Sequence, residues 1–375
     1  MRYICNRIMA VAVKFSNKAK TDFHREVTRR VDKYFVDNHL SKFADGRMVF
    51  KTIVMFALYV VPYGLILSGL LPLWAMWLCS AIMGLGLAGI GMSVMHDANH
   101  GAYSSHATVN KLLGYSLNLI GGDAFNWKVQ HNQLHHTYTN IHGHDQDIRP
   151  RGNLRLTPAV PRNTAHRLQV YYAFVLYSIQ TLFWVLLKDF MQVGFYMDYT
   201  GAATRTEKLK RLLQVVAFKA FYFFYILVIP ALVLDVSWWQ LLIGFVTLHA
   251  VGGLVLTTVF QLAHVVEGTQ YPEPVNNTLE AEWAIHQMNT TANFAPHNRL
   301  VTFFVGGLNY QIEHHLFQRI CHVHYPAIAP IVEQTAREYG VPYLRNNTVG
   351  DAVASHVRLL QHLGLYDTLK MATEF

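Results

Sequence analysis

Histidine sets this chain apart. It supplies 21 of the 375 residues, and eight of these lie between His96 and His144. Four groups have the spacing for chemistry: His96-Asp97-Ala98-Asn99-His100, His131-Asn132-Gln133-Leu134-His135-His136, the lone His264, and Gln311-Ile312-Glu313-His314-His315. On a helix, residues three or four apart share a face. Each motif can therefore aim two or three imidazole nitrogens, or the Gln311 amide oxygen, at one point. A neutral imidazole is a common ligand for iron, zinc and copper. Eight histidines converging on one place exceed the needs of a single tetrahedral zinc and suit two metals. The three cysteines (Cys5, Cys79, Cys321) lie outside the motifs and form neither a disulfide framework nor a zinc knuckle. Iron thus fits better than an iron–sulfur cluster or a structural zinc. Asp97 and Glu313 sit beside the candidate ligands, and Glu267 lies about one turn after His264. All three are expected to orient imidazole N–H groups rather than to bind metal.

The elements that position these residues are membrane helices. The chain is 52% hydrophobic and 14% charged, well below the roughly 25% charged residues of a soluble domain. Its mean hydropathy is +0.18. A spanning helix needs about 20 apolar residues. Four stretches qualify, 52–70, 73–95, 215–234 and 239–262, forming two hairpins with tight connections. Lys219 near the start of the third is expected to snorkel to the interface. The apolar run 8–13 is too short for a signal core, so no cleaved leader is expected. Residues 1–51 carry 12 Lys/Arg against 5 Asp/Glu, 149–167 carries five arginines, 205–211 carries four Lys/Arg, and the hairpin connections carry none. By the positive-inside rule, the N-terminus, the middle segment (96–214) and the C-terminal third (263–375) lie in the cytoplasm. The net charge of +8 is then a topology signal rather than a nucleic-acid patch. The expected fold is an all-α integral membrane protein: four transmembrane helices in two hairpins, with a cytoplasmic helical cap holding a histidine-rich di-metal site. The chain forms one domain. The stretches 168–187 and 111–122 are expected to lie along the membrane surface, and 327–339 reads as a soluble amphipathic helix.

Depth sorts the histidines. His96 directly follows the second span and His264 the fourth, so all four groups meet the cytoplasmic boundary. His249 lies 15 residues before His264 in one helix, ~22 Å away at 1.5 Å per residue, and reads as a hydrogen-bonded intramembrane histidine. His142, His144, His322 and His324 are expected beside the site or at the surface. His24, His39, His166, His356 and His362 are expected at the surface. Aromatic residues near the boxes (Phe125, Trp127, Trp283, Phe294) are candidate walls for an apolar tunnel. From the residues alone, oxygen chemistry on a lipid chain and a membrane metal carrier or receptor both stay open. A carrier places ligands along a path near the bilayer midplane, where only His249 lies.

The motifs HDANHG at His96, HNQLHHTYTN at His131, QLAHVVE at Gln261 and GGLNYQIEHHLF at Gly306 resemble the membrane fatty acid desaturases. The likeness runs from about Arg47 to Tyr343. The glutamine opening the last box, and the stretch 283–294, resemble the front-end subgroup, which inserts a double bond between an existing one and the carboxyl end. The resemblance implies a non-haem centre of two iron ions held by His96, His100, His131, His135, His136, His264, Gln311, His314 and His315. It also implies O2 as co-substrate and a fatty acyl-CoA or acyl-lipid substrate. The chain has no His-Pro-Gly-Gly haem motif, so a separate ferredoxin or b-type cytochrome with its reductase is expected. A bacterial inner membrane is expected over the endoplasmic reticulum. Hydroxylation on the same scaffold begins with the same hydrogen abstraction and stays open here.

Overall fold

The computed structural model describes residues 12–16, 21–149, 153–201 and 204–367. The apolar run 8–13 and Arg151 lie wholly or mostly outside them. Among the described residues, four helices are long and apolar enough to cross a membrane: α2 (Gly46–Leu67), α3 (Leu73–His100), α7 (Arg205–Val233) and α8 (Trp238–His264). Each contains an expected span, and the ends differ for local reasons. α2 starts early because the Asp45 side chain accepts hydrogen bonds from the N–H groups of Arg47 and Met48. α7 begins ten residues before its apolar stretch, at a capping box in which Thr204 and Glu207 satisfy each other's backbone N–H groups. α3 runs on through the first histidine motif and stops at Gly101, whose φ of 74° is the left-handed ending that glycine favours.

α3 is the central helix. Its most apolar stretch is 78% buried, against 22–33% for the other three. Their exposed faces carry large apolar side chains such as Val61, Leu232 and Trp239, the surface expected toward lipid. Small residues let α3 approach its neighbours. A Cβ at Gly84 would lie 2.6 Å from the Leu248 carbonyl oxygen of α8, and one at Gly86 2.7 Å from the Leu58 backbone of α2.

The apolar stretch expected along the membrane surface is bent. Helices α5 (Thr164–Ser178) and α6 (Gln180–Tyr199) meet at 54°. α3 ends and α7 begins at the histidine end of the molecule, so the chain between them returns to the side it left. The expected surface helix over 111–122 is two pieces, Ala107–Gly114 and Ser116–Leu119.

Lys219 departs from expectation. It is buried, and its ammonium donates to Asp189 Oδ2 (2.6 Å) and to the Gly121 carbonyl (2.5 Å). It therefore ties α7 to α6 instead of reaching the interface. The remaining helices pack at the histidine end: α1 (Phe23–Asp37), α4 (Ala124–Lys128), α9 (Trp283–Thr290), α10 (Gln311–Leu316), α11 (Tyr325–Glu338) and α12 (Val349–Leu365). α11 covers most of the expected amphipathic helix and packs on α1 through one apolar cluster that includes Phe23, Val27, Ile328 and Val332. Two short parallel pairings, Lys14–Phe15 with Thr278–Leu279 and Asn293–Phe294 with Arg345–Asn346, pin distant segments together.

Candidate metal centre

Wide π turns precede or contain two of the motifs. Ile90–Val94 interrupts α3 just before His96, and Val129–His135 continues α4 through the second motif. Such turns are rare and cluster at functional sites. His131 and His135 stack on one another (5.2 Å between ring centres) and share a possible site with Asp147, yet each also joins a different set of histidines. His131 joins His96, His100 and His314 in one buried group, and His135 joins His264 and His315 in another. His314 and His315, adjacent in sequence, also divide between the groups. His136 lies between them, grouped with both His314 and His315. Its Nε2 is 3.1 Å from His131 Nε2, and His96 Nε2 is 3.2 Å from the same atom.

The second group is held from outside. His135 Nδ1 donates to Asp145 Oδ2 (3.0 Å), His264 Nδ1 to the Thr290 carbonyl (3.2 Å), and His315 Nδ1 to Gln287 Oε1 (2.7 Å). Each bond fixes the tautomer and leaves Nε2 bare, turned toward the others. The Nε2 atoms of His100, His135, His264, His314 and His315 are buried and have no hydrogen-bond partner among the described residues. So many unpaired buried polar atoms in one place are costly unless something binds them. A cation accounts for the arrangement, and the all-nitrogen donor set fits a transition metal.

The electrostatics agree. Burial, and the crowding of other imidazoles, hold His131, His136, His314 and His315 well below the ordinary histidine pKa. They are neutral, with lone pairs available. For His135, burial also lowers the value, but the carboxylates of Asp145 and Asp147 outweigh it and raise it above the ordinary value. That makes His135 the most basic donor of its group.

The expected supporting carboxylates are placed differently. Asp97 accepts from His322 Nδ1 (2.8 Å) and lies only 3.8 Å from His96 Nδ1, beyond hydrogen-bonding distance. His322 in turn meets Lys51 Nζ through Nε2 (2.7 Å). Glu313 is fully buried and bonds Asn293 and Tyr343 (both 2.8 Å), so it braces the loop chain rather than an imidazole. Burial pushes its pKa up to about 7 against those two bonds. Glu267 is paired with Arg358 near the surface and orients no histidine. The residues that do meet ligand Nδ1 atoms, Asp145, Gln287, Thr290 and, at His314, Tyr325 (3.3 Å), lie outside the motifs. Gln287 and Thr290 belong to the 283–294 stretch, where a glutamine and a threonine carry no spacing signal of their own.

Among the other histidines, His249 of α8 is buried and hydrogen-bonded to Tyr222 of α7 and Thr181 of α6, as its depth suggested. His166 and His356 are buried rather than at the surface. His356 donates to the Val265 carbonyl and accepts from the Tyr177 hydroxyl, docking α12 onto the end of α8.

A cavity of about 2240 Å³ opens beside the first group, with His96, His131, Gln311 and His314 in its wall. Of the four aromatic candidates, Trp127 lines it and stacks on His131 (4.4 Å between ring centres). The others do not. Phe125 lies under Arg211, Trp283 donates to the His136 carbonyl, and Phe294 packs in a separate apolar cluster. Asp147, Arg149 and Lys208 give the wall charged positions, and Leu87, Met92 and Leu256 line an apolar part of it.

The sequence has known counterparts. The chain is 36% identical over 343 residues to a protein of Arthrospira platensis named sn-1 linoleoyl-lipid 6-desaturase, covering 92% of this chain and 93% of that one. It is 35% identical over 361 residues to a Synechocystis protein of the same name, covering 95% and 99%. An acyl-lipid (8-3)-desaturase of Physcomitrium patens is 33% identical over 369 residues, covering 96% of this chain and 75% of the relative. The family model described as fatty acid desaturase matches residues 71–347, which include every histidine of both groups, and the chain is a member of that family.

Proposed function

We propose that this desaturase introduces a cis double bond into an acyl chain carried on a lipid, on the carboxyl side of an existing double bond. The observation that carries the reading is the pair of buried imidazole groups beside a large cavity lined by both charged and apolar side chains. The names of the relatives support the acyl-lipid carrier and the front-end position.

Two iron ions are the proposed metals. His96, His100, His131 and His314 would hold one, and His135, His264 and His315 the other, with His136 between them and Gln311 at the cavity wall. Bound iron supplies the oxidising power, with O2, that an unactivated C–H bond requires. The chain's own residues do the rest. Asp145, Gln287 and the Thr290 carbonyl hold three imidazoles in the tautomer with Nε2 bare. Met92, Met95 and Leu256 keep water away from the reacting methylenes. The head group stays at the polar mouth, and the distance from the mouth to the histidines sets which carbons react.

Two electrons beyond the two taken from the substrate are needed, and a separate acidic ferredoxin or b-type cytochrome is their proposed source. The proposed location is a bacterial inner membrane, with the histidine end in the cytoplasm. Expression in a host lacking polyunsaturated lipids tests the reading. The expected result is a new double bond in lipid-bound linoleoyl chains and two irons per purified chain. A hydroxylated product identifies a hydroxylase, and metal uptake without lipid change identifies a carrier.

A further inference from the structure

Three polar side chains meet at the far end of the cavity, where apolar residues would be expected. Two of them, Thr181 of α6 and His249 of α8, are buried and form part of its wall. Among the wall residues that α8 contributes, His249 lies farthest from His264, ~22 Å along the helix axis at 1.5 Å per residue. On α3 the deepest wall residue is Leu87, ~13 Å from His96 by the same rise.

The polar groups satisfy one another. The Tyr222 hydroxyl of α7 donates to His249 Nε2 (2.8 Å), His249 Nδ1 donates to Thr181 Oγ1 (3.2 Å), and the Thr181 hydroxyl donates to the His249 carbonyl (2.7 Å). Phe245 backs the ring at 4.6 Å between centres. The three bonds join α6, α7 and α8, and they use every donor that the trio has. A ligand therefore finds no free donor there, and pushing the wall aside would leave buried polar atoms unpaired. Intramembrane polar groups are expensive and mark function. A wall that is inert yet stiff suits one task, stopping an apolar chain at a fixed depth.

Resting on the desaturase reading above, we infer that Thr181, Tyr222 and His249 form the closed end of the acyl cavity and set the length of the methyl-side segment the enzyme accepts. With the head group held at the mouth, the segment beyond the histidines must end at this trio. One methylene too many against a fixed wall is discriminated by about 10–200-fold.

The test is full-length protein in a host that supplies electrons, fed cis-dienoic fatty acids identical from the carboxyl group through the second double bond and differing only in the carbons beyond it. Wild type is expected to show a sharp upper limit. His249→Ala should raise conversion of the next longer dienes relative to the wild type's best substrate by at least ~10-fold. Thr181→Ala, a milder change expected to accumulate even if His249→Ala does not, should move the limit in the same direction by a smaller step. A variant that converts less of everything while keeping the wild-type ratio of long to short dienes overturns the proposal, because the trio then serves packing alone. The absence of any new double bond with wild type overturns the desaturase reading instead, so the two failures are distinguishable.

Discussion

At the residue scale, Gln287 shows what the histidine motifs leave out. Its Oε1 accepts from His315 Nδ1 and from the Thr139 hydroxyl (2.9 Å), while its Nε2 donates to the His136 carbonyl (3.1 Å). One amide thus steadies two histidine motifs. Gln287→Leu should leave His315 free to turn and lower metal affinity by about 10–100-fold, the usual cost of losing such support. Gln287→Glu, which keeps the acceptor, should retain more of it. Metal titration of purified protein, read as iron bound per chain, checks both. The candidate ligands were legible because imidazoles at helical spacing are a specific signal. Their division into two groups was not, since it depends on how four separate helices meet in space. Nor was the support legible. Asp97, Glu313 and Glu267 are near the ligands in sequence, whereas hydrogen-bond partners follow nearness in space.

At the scale of elements, the spans were read from about 20 apolar residues in a row, and their ends were blurred by capping at Asp45 and Thr204. The bend between α5 and α6 had no signal, because no proline or glycine stands at Ile179. Lys219 departs from the snorkelling expectation for a related reason. With α7 beginning at Arg205, Lys219 lies well inside the helix and faces Asp189, which also accepts from the Trp184 indole (3.0 Å) and the Asn126 amide (3.3 Å). Both charges are buried, at 4% and 0% side-chain exposure. Removing one partner of such a pair strands the other charge and costs about 3–5 kcal/mol, whereas replacing both with apolar residues is often neutral. Lys219→Met alone should therefore lower the melting temperature in detergent sharply. Lys219→Met combined with Asp189→Leu should recover most of the loss. A double variant no better than the single would assign Asp189 another role, such as holding Trp184 at the cavity wall.

At the scale of the whole molecule, the two histidine groups require the ends of α3 and α8 to lie on one side of the membrane, and the charge pattern predicts that this side is the cytoplasm. Asn276, Asn289 and Asn346 each begin an acceptor pattern for N-glycosylation. Asn289 and Asn346 are half-buried, so Asn276, which is exposed, is the informative one. In a eukaryotic host it should carry no glycan, while an acceptor-bearing loop inserted at the Asp235 turn, at the other end of α7, should carry one. The opposite pattern would invert the topology.

The electron donor would approach the same basic face, but not every basic residue there is available to it. Lys208 pairs with Asp198 at 2.5 Å. Arg211 pairs with the buried Asp123 and lies over Phe125. Reversing Arg211 would set two carboxylates together and damage the fold. Arg205 and Lys210 are exposed at the start of α7 and give the cleaner test. Encounters between redox partners are weak and steered by charge. Turnover of wild type with an acidic donor should fall steeply as salt rises. The double variant Arg205→Glu, Lys210→Glu should turn over more slowly at low salt, converge on wild type at high salt, and bind the same iron. Equal turnover at low salt would reserve these charges for topology or anionic lipid and move the docking site elsewhere on the histidine end.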